Sequence, residues 1–536
     1  MARFYIENFG CRATQADGAA LERQFLERGL ERAGAARDAE IVVLNTCTVT
    51  SGADKDARAS IRRLQRLNPD CKIVVTGCYA QRAPEELAAL PGVTWVVGNS
   101  HKHQVAEIAT SSSGGFVSLA QLVGEPQGPL FRKERERVGY PVLGQLPREQ
   151  PKVFVGDIFA HTELLAAPVF EAANQRTRPN LKVQDGCDNR CSFCVIPHVR
   201  GQSRSLPAER VIAEVRTLVD AGYREVVISG INLGRWGRDL EGVGGWSSVV
   251  RKPAPVDSQN HRQPPSITEP RTTNDDRLVS LISTILDRTS LEKLRISSVE
   301  PMDWSDKLIE LMASSERIAK HAHVPMQSGS DAVLRRMHRK YRPWHYREKI
   351  LKIRAAMPNA AIGADVMVGF PGETDAEFEA TRRMIEELPF TYLHVFTYSA
   401  RPGTPAAEDP GQIAIVVARE RNRELREIAS QKKAAFMQML LGTTVKAITL
   451  NSGGGDCTEA LTDNYLKMRI AGEHQANRWM DVKVAGVRGE MLLGWLADEP
   501  DGGRPGANTK VHGTEQKTLT SNPLPAYDNK NQEVRE

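Results

Sequence analysis

The sequence lacks several features that would each define a class of protein. No run approaches the ~18 uninterrupted apolar residues of a membrane-spanning helix, and the opening "MARFYIENFG" has no apolar signal core with a small-residue cleavage site. Eight cysteines in 536 residues are too few for a disulfide framework. We therefore expect a cytoplasmic protein without a membrane partner, in which the cysteines are thiols, metal ligands or catalysts.

Length and charge set broad limits. The chain exceeds what one hydrophobic core usually organises, so we expect about two to four domains. The hydrophobic content of 40% is ordinary for a globular protein. A net charge of +5 with a pI near 8.7 is mildly basic, which is compatible with a nucleic-acid partner but is not evidence for one.

The segment "VQDGCDNRCSFCVIP" contains Cys187, Cys191 and Cys194 and no fourth cysteine. A closed structural zinc site needs four protein ligands, and bacterial ferredoxin runs likewise contain four cysteines. Three thiolates can instead bind three irons of a cubane and leave the fourth iron with an open coordination position. A reacting ligand needs such a position, so the missing fourth cysteine favours a catalytic cluster.

The first hundred residues alternate between strand-like and helix-like segments. The strand-like runs are "RFYIENFG", "EIVVLNTC", "KIVVTGC" and "VTWVVG". The segment after the first run predicts a helix with Leu21, Phe25 and Leu26 on one apolar face. This alternation predicts a parallel sheet with crossover helices.

One cysteine follows each of the first three of these strands, namely Cys11, Cys47 and Cys78. In open α/β sheets, ligands bind beyond the carboxyl ends of the strands, so these cysteines could converge on one site. The alternative is three buried thiols, because free cysteine packs well as a small hydrophobe. The equivalent position of all three favours the common site.

A second α/β unit begins near Leu181. Its apolar runs are "LKVQ", "EVVISG", "KLRISS", "AHVP", "GADVMVGF" and "YLHVFTYS", and they give about six strand and helix repeats. This is fewer than the eight of a full barrel, so we expect a partial (βα)6 barrel. His321 and His323 in "AHVP" share one face of a strand, and we expect them to be buried rather than metal ligands.

Changes in composition define the other boundaries, and we divide the chain into 1–110, 111–176, 177–430, 431–500 and 501–536. Region 111–176 is a linker or insertion with a lead-in to the barrel, and an insertion at 241–276 within the barrel lacks periodicity and is expected to be disordered. Region 431–500 has the short strand-like runs of a small β-barrel. Region 501–536 is polar and expected to be disordered.

The C-x3-C-x2-C spacing, with Phe193 before the last cysteine, resembles the signature of radical S-adenosylmethionine (SAM) enzymes. Further stretches, "NLGRWG", "SSVEP", "HVPMQSGSDAVLRRMHRKY", "VGFPGETDAEF" and "FTYSARPGTPA", resemble the methylthiotransferases of that superfamily. That family combines an N-terminal cluster domain, a radical SAM partial barrel and a TRAM domain. The resemblance covers most of the chain apart from the linker, the insertion and the tail.

The resemblance implies two [4Fe–4S] clusters and SAM. Cys187, Cys191 and Cys194 would bind the radical cluster, and Cys11, Cys47 and Cys78 an auxiliary cluster that carries or donates sulfur. One SAM would methylate this sulfur, and a second would be cleaved to a 5′-deoxyadenosyl radical that removes hydrogen from an unreactive carbon. The two remaining cysteines, Cys71 and Cys457, have no counterpart role.

Predicted strand ends in the barrel contain further candidates for contact with SAM. They are Gly230, Asn232, Ser297, Glu300, Gln327 and Ser328. Each has an ordinary alternative. In these alternatives, the glycine only permits a tight turn, Glu300 is a structural acid, and the "QSGS" turn only caps a helix.

The compact loop "PHVRGQSRS" and the opening "FYIENFGCRATQ" are most similar to the tRNA N6-threonylcarbamoyladenosine methylthiotransferases. These add a methylthio group to C2 of that nucleoside beside the anticodon, at position 37. Enzymes acting on isopentenyladenosine in tRNA, or on a ribosomal-protein aspartate, are the alternatives. Arg200 and Arg204 in this loop either bind a phosphate or the threonylcarbamoyl carboxylate, or pair with barrel acids.

The implied partners are the tRNA anticodon loop, an electron donor such as flavodoxin or ferredoxin, and a sulfur source. The β-rich end, with "NYLKMRI", either binds RNA by charge and stacking or only closes the barrel. A non-enzymatic alternative is an iron–sulfur electron carrier or an RNA-binding protein. The open three-cysteine site argues against a simple carrier, which would not cleave SAM.

Overall fold

The computed structural model describes residues 2–111, 151–160, 177–240, 276–451 and 456–498. Predictions for most of the linker, for nearly all of the insertion at 241–276 and for the tail beyond 500 lie outside these residues. The chain divides into two compact units, Met1–Phe436 and Met437–Glu536. No helix among the described residues is both long enough and apolar enough to cross a membrane.

The first unit begins with a parallel sheet and its helices. The elements are β1 (Arg3–Asn8), α1 (Arg12–Glu27), β2 (Glu31–Arg32), β3 (Ile41–Thr46), α2 (Ser51–Leu67), β4 (Lys72–Gly77), α3 (Cys78–Arg82), α4 (Pro84–Ala88), β5 (Val93–Gly98), α5 (Val105–Thr110) and β6 (Lys152–Phe154).

The strand order in this sheet is β2-β1-β3-β4-β5-β6, and all pairs are parallel. Every residue of β3 is buried, as expected for a strand covered on both faces. In α1, Leu21 and Phe25 are buried, but Leu26 is 47% exposed, so its prediction was wrong. The reason is spacing. Leu21 and Phe25 are four positions apart and share a helix face, whereas Leu26 is five positions from Leu21 and lies on a different side of the helix.

The rest of the first unit is the barrel. Its elements are β7 (Asn180–Asp185), α6 (Ile196–Arg200), β8 (Arg204–Ser205), α7 (Ala208–Asp220), β9 (Glu225–Gly230), α8 (Arg277–Arg288), β10 (Lys293–Ile296), α9 (Asp306–Ser314), β11 (His321–His323), α10 (Asp331–Arg336), α11 (Pro343–Ala356), β12 (Ala361–Val368), α12 (Asp375–Glu387), β13 (Tyr392–Thr397), α13 (Pro405–Glu408) and α14 (Ile415–Met439).

Six parallel strands form the barrel wall. One sheet has the order β10-β9-β7, with β8 antiparallel at its edge, and the other is β11-β12-β13. A parallel bridge between Leu294 and Ile318 joins the two sheets. The wall therefore runs β7-β9-β10-β11-β12-β13, which confirms the predicted partial (βα)6 barrel. Its core is apolar, with residues such as Leu181, Ile228 and Ile362 fully buried.

The second unit contains β14 (Thr444–Thr449), β15 (Cys457–Thr462), β16 (Lys467–Ala471), β17 (Trp479–Arg488) and β18 (Met491–Leu496). These strands close into a barrel in the order β14-β15-β16-β18-β17. Ile448, Met468, Ile470, Val482 and Leu492 fill its interior. The predicted small β-barrel is confirmed.

Candidate active site

The cysteine triplet lies on the loop between β7 and α6. Cys187 directly follows the glycine after β7, and its N–H donates to the carbonyl of Gly201 (3.1 Å). The N–H of Cys194 donates to the carbonyl of Cys191 (3.1 Å), which forms a turn between these two cysteines. Burial raises the pKa of the Cys187 thiol and raises that of Cys194 to about 12. Neighbouring thiols add to both shifts, so the three sulfurs are near one another.

Three groups donate to the sulfurs of this loop. The N–H of Asn189 (3.4 Å) and Nδ2 of Asn232 (3.6 Å) donate to Cys187 Sγ. Nη1 of Arg339 donates to Cys191 Sγ (3.4 Å). Such donors stabilise thiolates, which are the form that binds iron. Sequence reasoning missed Arg339, although it lies within the quoted stretch "HVPMQSGSDAVLRRMHRKY".

The other cysteines lie at one edge of the N-terminal sheet. Cys11 immediately precedes α1, Cys47 follows β3, and Cys78 begins α3 directly after β4. Strands β1, β3 and β4 are neighbours, so the three thiols meet at the carboxyl edge. Burial raises the pKa of Cys47 to about 12, and Cys11 and Cys78 both contribute, which places the three thiols within electrostatic range.

The backbone around Cys47 leaves no space for an added side chain at Gly10. A Cβ there would lie 2.5 Å from Cys47 Cβ and 2.8 Å from its Sγ, and the φ of Gly10 is +92°. Glycine alone combines this conformation with this approach. Gly10 therefore allows Cys11 and Cys47 to come together.

The two groups of cysteines are adjacent in the fold. Cys78 packs against Val195 and Val199, which follow the triplet directly. Asn99 connects the same parts, because its Nδ2 lies 2.7 Å from the carbonyl of Val199 and 3.6 Å from Cys78 Sγ. The N-terminal sheet and the barrel thus present their cysteines to a shared region of the first unit.

A buried ion network joins the sheet to the barrel beside these cysteines. Asp17 accepts from Lys102 (2.9 Å), Lys182 and Arg200 (3.0 Å), and Asp185 accepts from Lys182 (2.7 Å) and Arg200 (2.9 Å). Burial alone would raise the pKa of both carboxyl groups. Lys102, Lys182 and Arg200 instead hold the pKa of Asp17 well below the ordinary range, and Arg200, Lys182 and Arg204 do the same for Asp185. Three cations face two anions, which leaves one excess positive charge.

This network settles the role of Arg200 in the structure. Its side chain is 2% exposed and paired with Asp17 and Asp185, so it pairs with acids and does not reach a substrate group. Arg204 lies next to it and donates to the carbonyl of Arg200 (2.8 Å). Sequence reasoning missed the rest of the network. A lysine and an aspartate in β7, a strand predicted to lie in the barrel wall, were the available signal.

A second buried network lies beside Cys47. Asp54 accepts from Arg82 (3.1 Å) and from Arg401, and Thr48 Oγ1 accepts from Arg82 (2.8 Å) and Arg401 (3.2 Å). Arg401 belongs to the "SARPGT" segment after β13. That segment thereby anchors the end of the barrel wall to the N-terminus of α2.

The predicted SAM contacts lie at the carboxyl ends of β9 and β10. Gly230 ends β9, and the N–H of Asn232 donates to Gln184 Oε1 (2.7 Å). Asn232 Oδ1 and Ser297 Oγ are buried and make no hydrogen bond in the described structure. Unsatisfied buried polar atoms near the cysteine loop are what a polar cofactor would use.

The turn at 327–330 begins a helix. Gln327 has a φ of 61°, and its main chain pairs with β12 through Asp365 O and the N–H of Met367 (both 2.8 Å). Ser328 is buried with its hydroxyl 3.1 Å from Thr381 Oγ1, and Ser330 caps α10. The role of Gln327 and Ser328 as cofactor contacts stays a prediction.

A small cleft that is open to solvent lies beside Cys191. Glu300 pairs there with Arg339, whose guanidinium also lies 5.1 Å from the ring centre of Tyr341. The cleft is lined by three cationic side chains and by apolar surface. Its lining residues are Asn189, Cys191, Arg235, Glu300, Met302, His338, Arg339, Lys340 and Tyr341.

His321 and His323 are buried on β11, as expected. His321 Nε2 is 2.6 Å from the hydroxyl of Tyr392, and His323 Nδ1 is 2.7 Å from Ser298 Oγ. Burial lowers the pKa of His321 well below 6.5, with smaller contributions from Arg295, His323 and Arg12. His321 is therefore neutral at pH 7.

The cysteines suit clusters better than single ions. Among the described residues, no three His, Cys, Asp or Glu side chains are arranged to ligate one metal ion. A cubane differs because each thiolate binds its own iron, so the sulfurs stand farther apart. Three thiols per group, N–H donors to the sulfurs and excess positive charge nearby fit anionic clusters.

Two family models match the chain. The uncharacterized protein family UPF0004 matches residues 3–98, and the Radical SAM superfamily matches residues 181–251 and 256–385. Among solved structures, the chain resembles the cobalamin- and [4Fe–4S]-bound radical SAM methyltransferase TsrM from Kitasatospora setae, with 15% identity, a TM-score of 0.47 and coverage of 76% of this chain and 77% of that one.

Curated relatives cover nearly the whole chain. Threonylcarbamoyladenosine tRNA methylthiotransferase MtaB of Bacillus subtilis is 34% identical over 90% of this chain and 94% of its own length, and that of Aquifex aeolicus is 31% identical over 89% and 99%. The tRNA-2-methylthio-N(6)-dimethylallyladenosine synthase of Cereibacter sphaeroides is 32% identical over 84% and 88%.

Two of these relatives are more than 30% identical to the chain over about nine tenths of its length. The chain belongs to the radical SAM methylthiotransferase family. It is an enzyme that transfers a sulfur-containing group, and its family implies SAM and a [4Fe–4S] cluster as cofactors.

Proposed function

We propose that the protein transfers a methylthio group to C2 of N6-threonylcarbamoyladenosine beside the anticodon of tRNA, at position 37. The observation that carries the proposal is the presence of two cysteine triads in one compact unit, in a chain 34% and 31% identical to two enzymes named for this nucleoside. The loop "RGQSRS" after the triplet supports the same subgroup.

The proposal assigns a cluster to each triad. Cys187, Cys191 and Cys194 would hold the radical cluster, with an open iron for SAM, and Cys11, Cys47 and Cys78 the auxiliary cluster. When bound, the first supplies the electron that cleaves SAM to a 5′-deoxyadenosyl radical, and the second carries the sulfur. The electron would come from a flavodoxin- or ferredoxin-type donor, and the sulfur from a separate source.

The chain's own residues position these groups. Asn189 and Asn232 donate to Cys187 Sγ and Arg339 donates to Cys191 Sγ, contacts that would stabilise the sulfurs as ligands of a bound cluster. The proposed SAM contacts are Gly230, Asn232, Ser297, Glu300, Gln327 and Ser328. Among them, Asn232 Oδ1 and Ser297 Oγ are buried without a hydrogen bond, which supports the proposal.

Part of the auxiliary triad is shielded from water. Cys47 and Cys78 are buried, and Cys78 packs against Val195 and Val199. A radical that abstracts hydrogen from a carbon must not meet water-borne or protein hydrogen donors, so a dry pocket is required. No general base of ordinary pKa could remove this hydrogen as a proton.

The experiment is mass spectrometry of tRNA nucleosides after anaerobic incubation with reconstituted protein, reductant, SAM and a sulfur source. We expect methylthio-threonylcarbamoyladenosine from the wild type and from the Cys71→Ala and Cys457→Ala controls, and none from Cys187→Ala or Cys47→Ala. Cys187→Ala should also lose the iron of the radical cluster and keep that of the auxiliary cluster, and Cys47→Ala should do the reverse.

A second candidate substrate has a specific observation in its favour, the 32% identity to the dimethylallyladenosine enzyme. Parallel reactions on tRNA carrying isopentenyladenosine test it. Methylthiolation of that tRNA alone would replace the threonylcarbamoyl assignment. Formation of 5′-deoxyadenosine without any change in tRNA would direct the search to ribosomal protein.

A further inference from the structure

Part of the inner barrel face is accessible along β12 and β13. In a parallel sheet both faces are normally covered, and residues such as Val366, Val368 and Val395 on the other face are buried. On the inner face Asp365 and Met367 are only half-buried, His394 is exposed, and Phe396 is 45% exposed. Because the rest of the barrel wall is buried, these accessible residues on β12 and β13 are candidates for ligand contact.

The strip consists mainly of aromatic rings at alternate positions of one strand. Tyr392, His394 and Phe396 lie on the same face of β13, because side chains of a strand alternate. The ring centres of Tyr392 and His394 are 5.2 Å apart with an angle of 65° between the ring planes, and those of His394 and Phe396 are 6.5 Å apart with an angle of 40°. In the strand register, His394 stands beside Asp365 and Phe396 beside Met367. We call these five residues the β13 strip.

The base of the strip is rigid. Gly363 pairs with Tyr392 in the register, and a Cβ at Gly363 would collide with the tyrosine ring, so the ring lies across the glycine. It reaches β11, where it stacks on His321 at 5.9 Å and on His323 at 6.0 Å. The hydrogen bond to His321 fixes the ring position. Tyr392 therefore needs no rearrangement to receive a ligand.

The strip lies beside the cysteine triplet. Met367 packs in the cluster that includes Phe193, the residue before Cys194. Arg339, which donates to Cys191, helps to lower the pKa of Asp365, after His323 and His394 and against the effect of burial.

We propose that the β13 strip is the platform that holds the target purine, unstacked from the anticodon loop, for modification, with the base stacked on the exposed Phe396 ring. This inference rests on the proposed function. Aromatic faces stack with any base, and sequence-specific RNA enzymes read bases that have left the stack. The half-buried Asp365 offers carboxylate oxygens to the base edge.

The test uses full-length reconstituted protein and an anticodon stem-loop RNA with 2-aminopurine in place of the purine that follows the anticodon. Stacking on a protein ring quenches 2-aminopurine, so the titration reports both affinity and stacking. Variants are Phe396→Ala, His394→Ala and Phe396→Trp. The matched control is Trp344→Ala, which removes another exposed aromatic residue (57% exposed) on α11. Iron content verifies the fold of each variant.

We expect the wild type and the control to quench the probe equally, and Phe396→Ala and His394→Ala to bind about tenfold more weakly or worse, with less quenching. Phe396→Trp, which keeps an aromatic ring at this position, should bind and quench the probe as the wild type does. If the wild type methylthiolates tRNA while both alanine variants behave like Trp344→Ala, the platform is wrong and the proposed function stands. If the wild type neither binds nor methylthiolates any tRNA, the proposed function fails and the platform with it.

Discussion

Gly10 determines whether two auxiliary cysteines can meet. We predict that Gly10→Ala displaces Cys47, because the new Cβ would lie 2.5 Å from Cys47 Cβ at a φ of +92°. The variant should lose the iron of one cluster and all methylthiolation, while keeping the iron bound at the triplet. Iron analysis and electron paramagnetic resonance measure this.

The control for Gly10 is Gly29, which also has a positive φ (+77°) but open space around the position of a Cβ. Gly29→Ala should cost about 1 kcal/mol of stability and no iron. Equal iron loss in both variants would show that backbone strain, and not the contact with Cys47, is the cause.

Asp17 stabilises the fold only when it is ionised. The pKa of its carboxyl is lowered on folding, because Lys102, Lys182 and Arg200 outweigh burial, so the unfolded chain takes up this proton first as pH falls. The contribution is complete above about pH 5 and is lost as pH falls through about 4 towards the lowered folded value.

We predict that Asp17→Asn lowers the free energy of unfolding by about 3–5 kcal/mol at pH 7, since it leaves three cations with one acid. The difference from wild type should shrink below about pH 4, which urea unfolding at several pH values would measure. The exposed Asp70→Asn serves as control. A difference that does not change with pH would mean that Asp17 acts through packing and not through charge.

At the residue scale, the sequence was a better guide to the positions of the candidate ligands than to the contacts between distant side chains. Spacing placed Cys11, Cys47 and Cys78 at strand ends and Cys187, Cys191 and Cys194 on one loop, and their roles as ligands stay predictions. It did not predict the partners of Arg200, because Asp17 is far away in the chain and nothing local connects the two. Arg339 was missed for the same reason.

At the element scale, the segment after β13 ties the barrel wall to α2. We predict that Arg401→Leu loosens this connection and costs about 1.5–3 kcal/mol, the range for hydrogen bonds to charged groups. Asp54 keeps Arg82 as a partner, so no acid is left alone. Hydrogen exchange at 47–54 and 398–404 should accelerate.

The comparison variant for Arg401 is Arg383→Leu, an arginine that is 65% exposed and paired only at the surface. It should change stability by less than about 0.5 kcal/mol. If exchange at 47–54 responds equally to both variants, the anchoring role of Arg401 is refuted.

Element prediction succeeded where the period of the pattern was clear. Continuous apolar runs identified the buried strands of the sheet and the six strands of the barrel wall. The short edge strands β2 and β8 have two residues each, too few to show a period. The helix cap at Ser330 was recognisable from the sequence, but the contact of Ser328 with Thr381 was not, because it lies across the fold.

At the scale of the molecule, the second unit has the features of an independent domain. A closed barrel has no free strand edges, and this one has its own buried core. Its charges do not favour RNA, since Met437–Asp498 contains seven acidic and six basic side chains. Within "NYLKMRI", Arg469 lies 3.8 Å from Glu459, and Tyr465 occupies a turn.

We predict that residues 437–498 fold alone with a cooperative thermal transition. The isolated barrel should bind the anticodon stem-loop at least about tenfold more weakly than the full chain, because electrostatic attraction supplies most non-specific RNA affinity and its charges are balanced. Circular dichroism and titration at two salt concentrations measure these outcomes. If the isolated barrel binds as tightly as the full chain, RNA recognition resides in the second unit, and the β13 strip would serve only to orient the base.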